Sequence, residues 1–281
     1  MSITKSLAHN TAIQIAGKIV STLLGLAAFS IMARSLGVEK FGWYVTAAGF
    51  LQFVGILSDF GFTVTTSNMM SEPAFEKNKL LNTIFTWRFI TALFFQGIAP
   101  LVILLFPYPK EIKTAVTIMT VSFFAIAVNQ VFIGYYRAKL QMAIATIGEI
   151  LSRVLLVAGV AISFWKGWGF LPIMIVITLS SVASTAYLWV KIGTIKLELD
   201  RIISRALFYK IWPTALSVIF NAFYLQADRV ILPLYVSQTE VGLYGAAYRV
   251  LDIVIQIAAI VMGLVMPLIT FSWSRNLKEE F

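Results

Sequence analysis

Residues 11–50 read TAIQIAGKIVSTLLGLAAFSIMARSLGVEKFGWYVTAAGF, and this stretch decides what kind of fold the chain can adopt. It joins an apolar run at 11–33 to a second run at 42–66 through a short connector that carries Arg34, Glu39 and Lys40. A helix rises about 1.5 Å per residue, so roughly 20 apolar residues cross the hydrocarbon core of a bilayer. Each run is therefore long enough to form a transmembrane helix.

The composition of the whole chain agrees with this interpretation. Of the 281 residues, 59% are hydrophobic and 12% are charged, whereas an ordinary soluble domain has about 25% charged residues. Only helices or a closed barrel can span lipid, because lipid offers the backbone no hydrogen bonds. The apolar runs are too long for barrel strands and lack their alternation. The sequence thus predicts an all-α membrane protein that crosses the bilayer several times.

The apolar runs predict about eight transmembrane helices in two groups. Residues 1–192 form an N-terminal lobe of six helices, residues 193–208 a cytoplasmic linker with a short surface helix, and residues 209–281 the incomplete start of a second lobe. The predicted helices lie at 11–33, 42–66, 80–106, 112–135, 142–165, 169–191, 209–235 and 241–271.

The basic residues at the ends of these helices predict the orientation. Thirteen of them, including Arg88, fall on the side of the N-terminus and five on the opposite side. Cytoplasmic loops of membrane proteins carry the excess of Lys and Arg, so the N-terminus is predicted to be cytoplasmic. This bias also accounts for most of the net charge of +9, and no nucleic-acid partner is implied.

The connector after the first helix recurs about 200 residues later. The second copy reads PLYVSQTEVGLYGAAYRV at residues 233–250, and in this register Gly42, Tyr44 and Ala47 align with Gly242, Tyr244 and Ala247. Internal repeats are common in transporters, where the substrate pathway lies between the repeated halves. Both copies follow an odd-numbered helix, so the sequence predicts a parallel repeat with both connectors on the outer side.

Four short motifs carry a resemblance to a known family. They are ARSLGVEKFGWY from Ala33, SDFGF at 58–62, ADRVIL at 227–232 and VGLYGAAYR at 241–249. Together they resemble the polysaccharide transporter family, the lipid-linked oligosaccharide flippases of O-antigen and capsule pathways. That family belongs to the multidrug/oligosaccharidyl-lipid/polysaccharide exporter superfamily. The motif positions are Arg34, Gly37, Gly42, Tyr44, Gly61, Arg229, Gly242 and Tyr244.

The resemblance implies a function without covalent chemistry. Such a protein would flip a polyprenyl-pyrophosphate-linked oligosaccharide to the outer leaflet of a bacterial or archaeal plasma membrane. It would need no cofactor or metal, and its partners would be the lipid-linked oligosaccharide, membrane lipids and polysaccharide assembly proteins. Members of the family have two complete helical bundles, whereas this sequence ends after the second helix of the second bundle. The resemblance therefore implies a form truncated at its C-terminus.

Charged residues inside the predicted helices are the candidate site residues, because each costs about 2.5–3.5 kcal/mol to place near the bilayer centre. Three cations are predicted to line a cavity for the pyrophosphate: Lys18, Arg153 and Arg249. Four acidic residues are candidates for gating or ion coupling: Asp59, Glu149, Asp228 and Asp252. Spacings of four and three also allow Glu149 to pair with Arg153, and Arg249 with Asp252.

Two further side chains have predicted structural roles. Asp59 lies where the second helix approaches its end and is expected to cap a helix or, alternatively, to act as a gate. Arg88 lies about two turns into the third helix and is expected to reach back to the cytoplasmic interface along its flexible stem. Neither role requires contact with a substrate.

Three alternative functions remain open from the sequence alone. A cation-coupled multidrug exporter of the same superfamily would require acidic groups in the cavity. A membrane-embedded glycan polymerase or glycosyltransferase would require a large outer loop, and the predicted outer connectors are short. A chain of this length could also associate with partners without transporting anything. The sequence contains no P-loop, nucleophile elbow or metal-ligand spacing, which argues against an ATP-driven pump or a hydrolase.

Overall fold

The computed structural model describes residues 3–71, 75–252 and 254–255. Within these ranges, the regular elements are helices, and six of them are long and apolar enough to cross a membrane. This confirms the predicted all-α membrane fold. The helices are α1 (Ile3–Asp59), α2 (Phe62–Ser71), α3 (Lys77–Val102), α4 (Lys110–Ala138), α5 (Met142–Trp165), α6 (Phe170–Ile192) and α7 (Arg201–Ile231), with 3₁₀ turns at Ile103–Leu105 and Leu232–Leu234.

Helix α1 contains the first two predicted transmembrane helices, joined by a sharp reversal at Gly37. Gly37 has φ 70° and ψ 170°, a conformation that is accessible to glycine because it lacks a Cβ atom. The rings of Phe29 and Phe41 are 4.8 Å apart, although twelve residues of straight helix would separate them by about 18 Å. The chain therefore folds back at Gly37, and α1 consists of two arms, 3–36 and 38–59.

The helix predicted at 42–66 is interrupted, and the prediction of a continuous helix was wrong at this point. Phe60 and Gly61 have φ values of 47° and 85°, which end α1 and start α2 in a new direction. A Cβ atom at Gly61 would lie 3.3 Å from the side chain of Thr214 in α7. Glycine at this position permits both the left-handed conformation and the close approach of α7.

Helix α7 begins eight residues before the predicted start at 209. The Asp200 side chain accepts hydrogen bonds from the backbone N–H groups of Ile202 and Ile203 at 2.8 and 2.9 Å, which is a standard N-cap. Residues 193–200 are not helical, so the predicted surface helix was wrong for this part of the linker. These residues instead lie along α3, where Asn82 bonds Glu198 at 3.0 Å and the backbone N–H of Lys196 at 3.2 Å.

The chain divides into two compact units, residues 1–242 and 243–281. In the first unit, the second arm of α1 packs against α3, α4 and α6 around one apolar core, and α2, α3, α4 and α7 share a second core. In the second unit, residues 243–252 and 254–255 are helical, and the rings of Tyr244 and Tyr248 are 4.8 Å apart. The rest of the helix predicted at 241–271 lies outside the described residues.

Candidate functional site: the α1–α7 seam

The second arm of α1 runs antiparallel to helix α7 and to the residues that follow it. The long contact between them is called the α1–α7 seam (residues 42–61 against 214–238). Gly49 packs on Arg229, Phe53 meets Phe223 with ring centroids 5.1 Å apart, and Gly61 packs on Thr214. Residue numbers rise along α1 as they fall along α7, which defines the antiparallel order. Small residues such as glycine allow helices in a membrane to approach each other closely.

At one end of the seam, the two copies of the repeated connector pack against each other. A Cβ atom at Gly42 would overlap the carbonyl oxygen of Gln238, and a Cβ atom at Gly242 would overlap the carbonyl oxygen of Val38. The contact is reciprocal: residue 42 contacts residue 238, and residue 242 contacts residue 38. Residues 242 and 238 lie 200 positions after residues 42 and 38, respectively. The hydroxyl of Thr46 also donates to Oε1 of Gln238 at 2.8 Å. The repeat found in the sequence thus corresponds to a physical contact.

A capping box fixes the start of the helical stretch that contains Gly242. The backbone N–H and the hydroxyl of Ser237 both bond Oε2 of Glu240 at 2.8 Å, and the backbone N–H of Glu240 donates to Oγ of Ser237 at 3.3 Å. This reciprocal Ser-x-x-Glu arrangement satisfies N–H groups that the first turn of a helix leaves without partners. It therefore holds the carbonyl of Gln238 and the backbone of Gly242 in position against α1.

Arg229 brings a positive charge into the seam. Its Nη1 donates to Oε1 of Gln52 in α1 at 3.3 Å, and its side chain is half-buried. The Cβ of Arg229 lies beside Gly49, where a methyl group would be 3.1 Å away. The carboxylate of the neighbouring Asp228 accepts the backbone N–H of Arg229 at 2.9 Å. The family motif ADRVIL therefore places its arginine against α1.

Next to Arg229 the seam widens into a cavity of about 280 Å³. None of the six residues that line it is charged. Oε1 of Gln226 is buried and has no hydrogen-bond partner, so it is an acceptor that the protein itself leaves unused. The lining residues are Ile56 of α1 and Ser217, Val218, Asn221, Leu225 and Gln226 of α7.

Two of the other predicted cations, Lys18 and Arg153, are not among the residues that line this cavity. Nζ of Lys18 lies 3.4 Å from Oε1 of Glu149, which also accepts a 2.7 Å hydrogen bond from Ser21. The pairing of Glu149 with Arg153 allowed by their spacing was therefore wrong, because Glu149 pairs with the first arm of α1. Arg153 is partly exposed on α5. Arg249 and Asp252 are half-buried in the helical stretch of the second unit.

Arg88 is buried, so the expectation that it reaches back to the interface was wrong. Its side chain is 4% exposed, and Nη2 lies 3.0 Å from Oδ1 of Asp59. Nη1 donates to the carbonyl oxygen of Ser58 at 2.8 Å and Nε to that of Ala127 at 3.1 Å. The interruption after Asp59 leaves backbone carbonyls without helical partners. The guanidinium binds one of these carbonyls and ties α3 and α4 to the end of α1.

Asp59 makes contacts typical of a helix cap. Its carboxylate accepts the hydroxyl of Thr63 at 2.5 Å and the backbone N–H of Thr63 at 3.5 Å, in the first turn of α2. Together with the ion pair to Arg88, these bonds hold the turn at 60–61. A role of Asp59 in gating stays a prediction.

The fold and the seam define an all-helical, multispan membrane protein with a repeat-related contact and a polar cavity between two antiparallel helices. The chain belongs to the family described as "Polysaccharide biosynthesis protein", whose model matches residues 7–273. The family resemblance drawn from the sequence motifs is thereby confirmed, including its place in the exporter superfamily. No curated protein matches the sequence.

Solved structures show a similar fold. The match to a structure described as "protein A" covers 97% of this chain and 66% of the chain in that structure, with a TM-score of 0.66 and 15% sequence identity. The match to the MATE multidrug transporter DinF-BH, solved with a bound ligand, covers the same percentages of the two chains, with a TM-score of 0.60 and 16% sequence identity. At such identities the likeness concerns the fold alone. The chain spans less than two thirds of the length of these two structures.

Sequence reasoning overlooked most of the seam's polar residues because they are uncharged. Gln52, Ser217, Asn221 and Gln226 carry no charge, so a search for costly intramembrane charges passes over them. A usable signal was present: Ser217 and Asn221 are four residues apart in an otherwise apolar part of α7, which puts them on one helix face. The predicted motif position Arg229 lies beside them.

Proposed function

We propose that this chain translocates a polyprenyl-pyrophosphate-linked oligosaccharide from the cytoplasmic to the outer leaflet of the plasma membrane. The observation that carries the proposal is the half-buried Arg229, which bonds the neutral Gln52 across the seam, in a chain that belongs to a polysaccharide biosynthesis family. Lipid-linked oligosaccharide and membrane lipids would be its direct partners. Polysaccharide assembly proteins would supply and receive the glycan.

The physical problem in such a reaction is to move a polar head group across hydrocarbon. Polar groups that lose water without gaining a hydrogen bond cost several kcal/mol each, so a path must offer donors and acceptors. Arg229 suits the pyrophosphate because a guanidinium can donate two parallel hydrogen bonds to phosphate oxygens. The polyprenyl tail can remain in lipid throughout, and no covalent step is required.

The proposed direction rests on the distribution of basic residues. With Arg88 buried, twelve basic residues remain on the side of the N-terminus against five on the opposite side. This bias favours a cytoplasmic N-terminus. The repeat-related contact between Gly42 and Gly242 then lies at the outer end of the seam. The proposed cycle opens this end to release the glycan and closes it while the glycan is loaded from the cytoplasm.

The contributions of the predicted cations differ in this proposal. Lys18 is neutralised by Glu149, so its charge contributes less to a cationic pathway. Arg153 and Arg249 stay predicted cavity residues, and Arg153→Ala and Arg249→Ala are each expected to reduce glycan display without reducing membrane abundance. We assign the principal phosphate contact to Arg229, which the seam positions directly.

Complementation of a flippase-deficient host tests the proposal. The chain is expressed alone and together with any downstream coding sequence, and surface polysaccharide and membrane abundance are both measured. Wild type should restore display, Arg229→Gln should lose most of it, and Arg229→Lys should retain an intermediate level. Arg137→Gln serves as the matched control, because Arg137 is exposed at the end of α4. Normal membrane abundance without display by wild type in either form would contradict the proposal.

A further inference from the structure

The cavity in the α1–α7 seam has the size of a site for one sugar ring. Its volume of about 280 Å³ lies just below the range of roughly 300–1,000 Å³ that is typical of small-molecule pockets. A whole oligosaccharide would not fit in it. A single hexose, with its ring and hydroxyl groups, would.

The lining of the cavity matches the two kinds of surface that a sugar presents. Ser217, Asn221 and Gln226 offer hydroxyl and amide groups, which both donate and accept hydrogen bonds as sugar hydroxyls do. Ile56, Val218 and Leu225 offer apolar surface, against which the C–H face of a pyranose ring can pack. The buried Oε1 of Gln226 has no partner in the protein, so a ligand hydroxyl would satisfy it.

A phosphate-binding group borders this cavity. Arg229 follows Gln226 by three residues, which is a rise of about 4.5 Å along the helix. On the opposite helix, Gln52 precedes Ile56 by four residues and bonds Arg229. A guanidinium thus lies one helical turn from an uncharged cavity, on the side of the Gly42–Gly242 contact.

From this arrangement we infer that the cavity binds the uncharged, phosphate-proximal sugar of the lipid-linked glycan, with the attached phosphate at Arg229. The inference rests on the proposed function and adds the class of sugar that this chain prefers. The neutral amide and hydroxyl groups can form hydrogen bonds with sugar hydroxyls at particular positions. No cation lines the cavity to neutralise the charge of a sugar carboxylate. A neutral hexose next to the pyrophosphate therefore fits, and a uronic acid at that position is disfavoured.

Binding to the purified full chain in lipid nanodiscs tests this inference with three probes. The probes are a short-chain prenyl pyrophosphate, the same molecule bearing one neutral hexose, and the same molecule bearing one hexuronic acid. Each hydrogen bond to the sugar should contribute about 3- to 10-fold in affinity. The hexose probe should therefore bind wild type at least about 10-fold more tightly than either of the other two, since several polar groups contribute.

Two variants locate the effect. Asn221→Leu and Gln226→Leu should each reduce the preference for the hexose probe by about 3- to 10-fold and leave the affinity for bare prenyl pyrophosphate unchanged. Gln96→Leu is the matched control: it also removes a buried amide without partners, but Gln96 does not line the cavity. It should leave the preference intact. Asn221 is exposed, so its substitution is compatible with folding.

The outcomes separate this inference from the proposed function. Equal binding of the hexose probe and bare prenyl pyrophosphate, or an undiminished preference in both variants, would overturn the sugar site. If wild type restores glycan display but shows no sugar preference, the function stands and the sugar site is wrong. If the preference is present and depends on Asn221 and Gln226 while display is never restored, the sugar site stands and translocation is wrong.

Discussion

Replacing Gly42 with alanine should shift the chain towards a state in which the seam is open at its Gly42 end. A Cβ atom at this position would overlap the carbonyl oxygen of Gln238, a backbone atom that cannot rotate away. The capping box at Ser237 and Glu240 further restricts movement of this carbonyl. The two connectors must therefore separate to accommodate the methyl group.

The size of the shift follows from the cost of overpacking. Inserting a methyl group into a well-packed contact costs about 1–3 kcal/mol. The cost applies only to the state in which the connectors touch, so the equilibrium should move by about 5- to 150-fold towards the open state. Gly97→Ala is the matched control, because no atom lies within 4 Å of a Cβ at that position of α3.

Spin labels can measure this shift, since the sequence contains no cysteine to be removed first. Val38→Cys and Thr239→Cys place labels at exposed positions of the two connectors. Wild type and Gly97→Ala should show mainly short distances, and Gly42→Ala should add a population at longer distances. An unchanged distance distribution in Gly42→Ala, with the protein folded, would refute the reasoning.

Three more predictions concern stability, each measured by unfolding of the purified protein in detergent. Asp59→Asn should cost about 3 kcal/mol because it leaves the buried Arg88 without its counter-charge, and a loss below about 1 kcal/mol would contradict this. Gln96→Leu should stabilise the protein by about 1–3 kcal/mol because both amide atoms of Gln96 are buried without partners; destabilisation would show that they are bonded. Burial raises the pKa of Tyr108 to about 12 from 10.0, so wild type should lose stability as the pH rises through this interval. The Tyr108→Phe variant should not show the loss of stability that ionisation of Tyr108 causes. Identical profiles of stability against pH in the two proteins would contradict the raised pKa of Tyr108.

The membrane-spanning helices were predictable from the sequence because their signal is local. An apolar run of sufficient length must be helical in lipid, and α5 at Met142–Trp165 was predicted to the residue. The breaks were harder to place. The turn at Phe60 interrupts an apolar stretch without a proline. Gly61 permits the turn locally, but Arg88 stabilises it from α3, outside the local sequence.

The candidate site was only partly predictable, because pairing between helices cannot be read from spacing within one helix. The four-residue spacing within α5 predicted Arg153 as a partner for Glu149, yet the packing of α1 against α5 makes Lys18 the ion-pair partner of Glu149. The repeat register gave a correct indication, since residues 200 apart lie in one reciprocal contact. The neutral cavity could not be predicted from the sequence, because its lining combines five residues of α7 with Ile56 of α1.

Translocation in reconstituted vesicles tests the central claim, that the chain flips a lipid-linked sugar through the α1–α7 seam. The measurement follows the exposure of a prenyl-pyrophosphate-linked hexose to a membrane-impermeant oxidant, for the Val38→Cys, Thr239→Cys variant before and after treatment with a bifunctional thiol reagent. The account predicts that protein-containing vesicles expose the inner-leaflet sugar much faster than empty vesicles, and that cross-linking the two connectors abolishes this difference. Translocation no faster than in empty vesicles, or translocation that is unaffected by the cross-link, would contradict it.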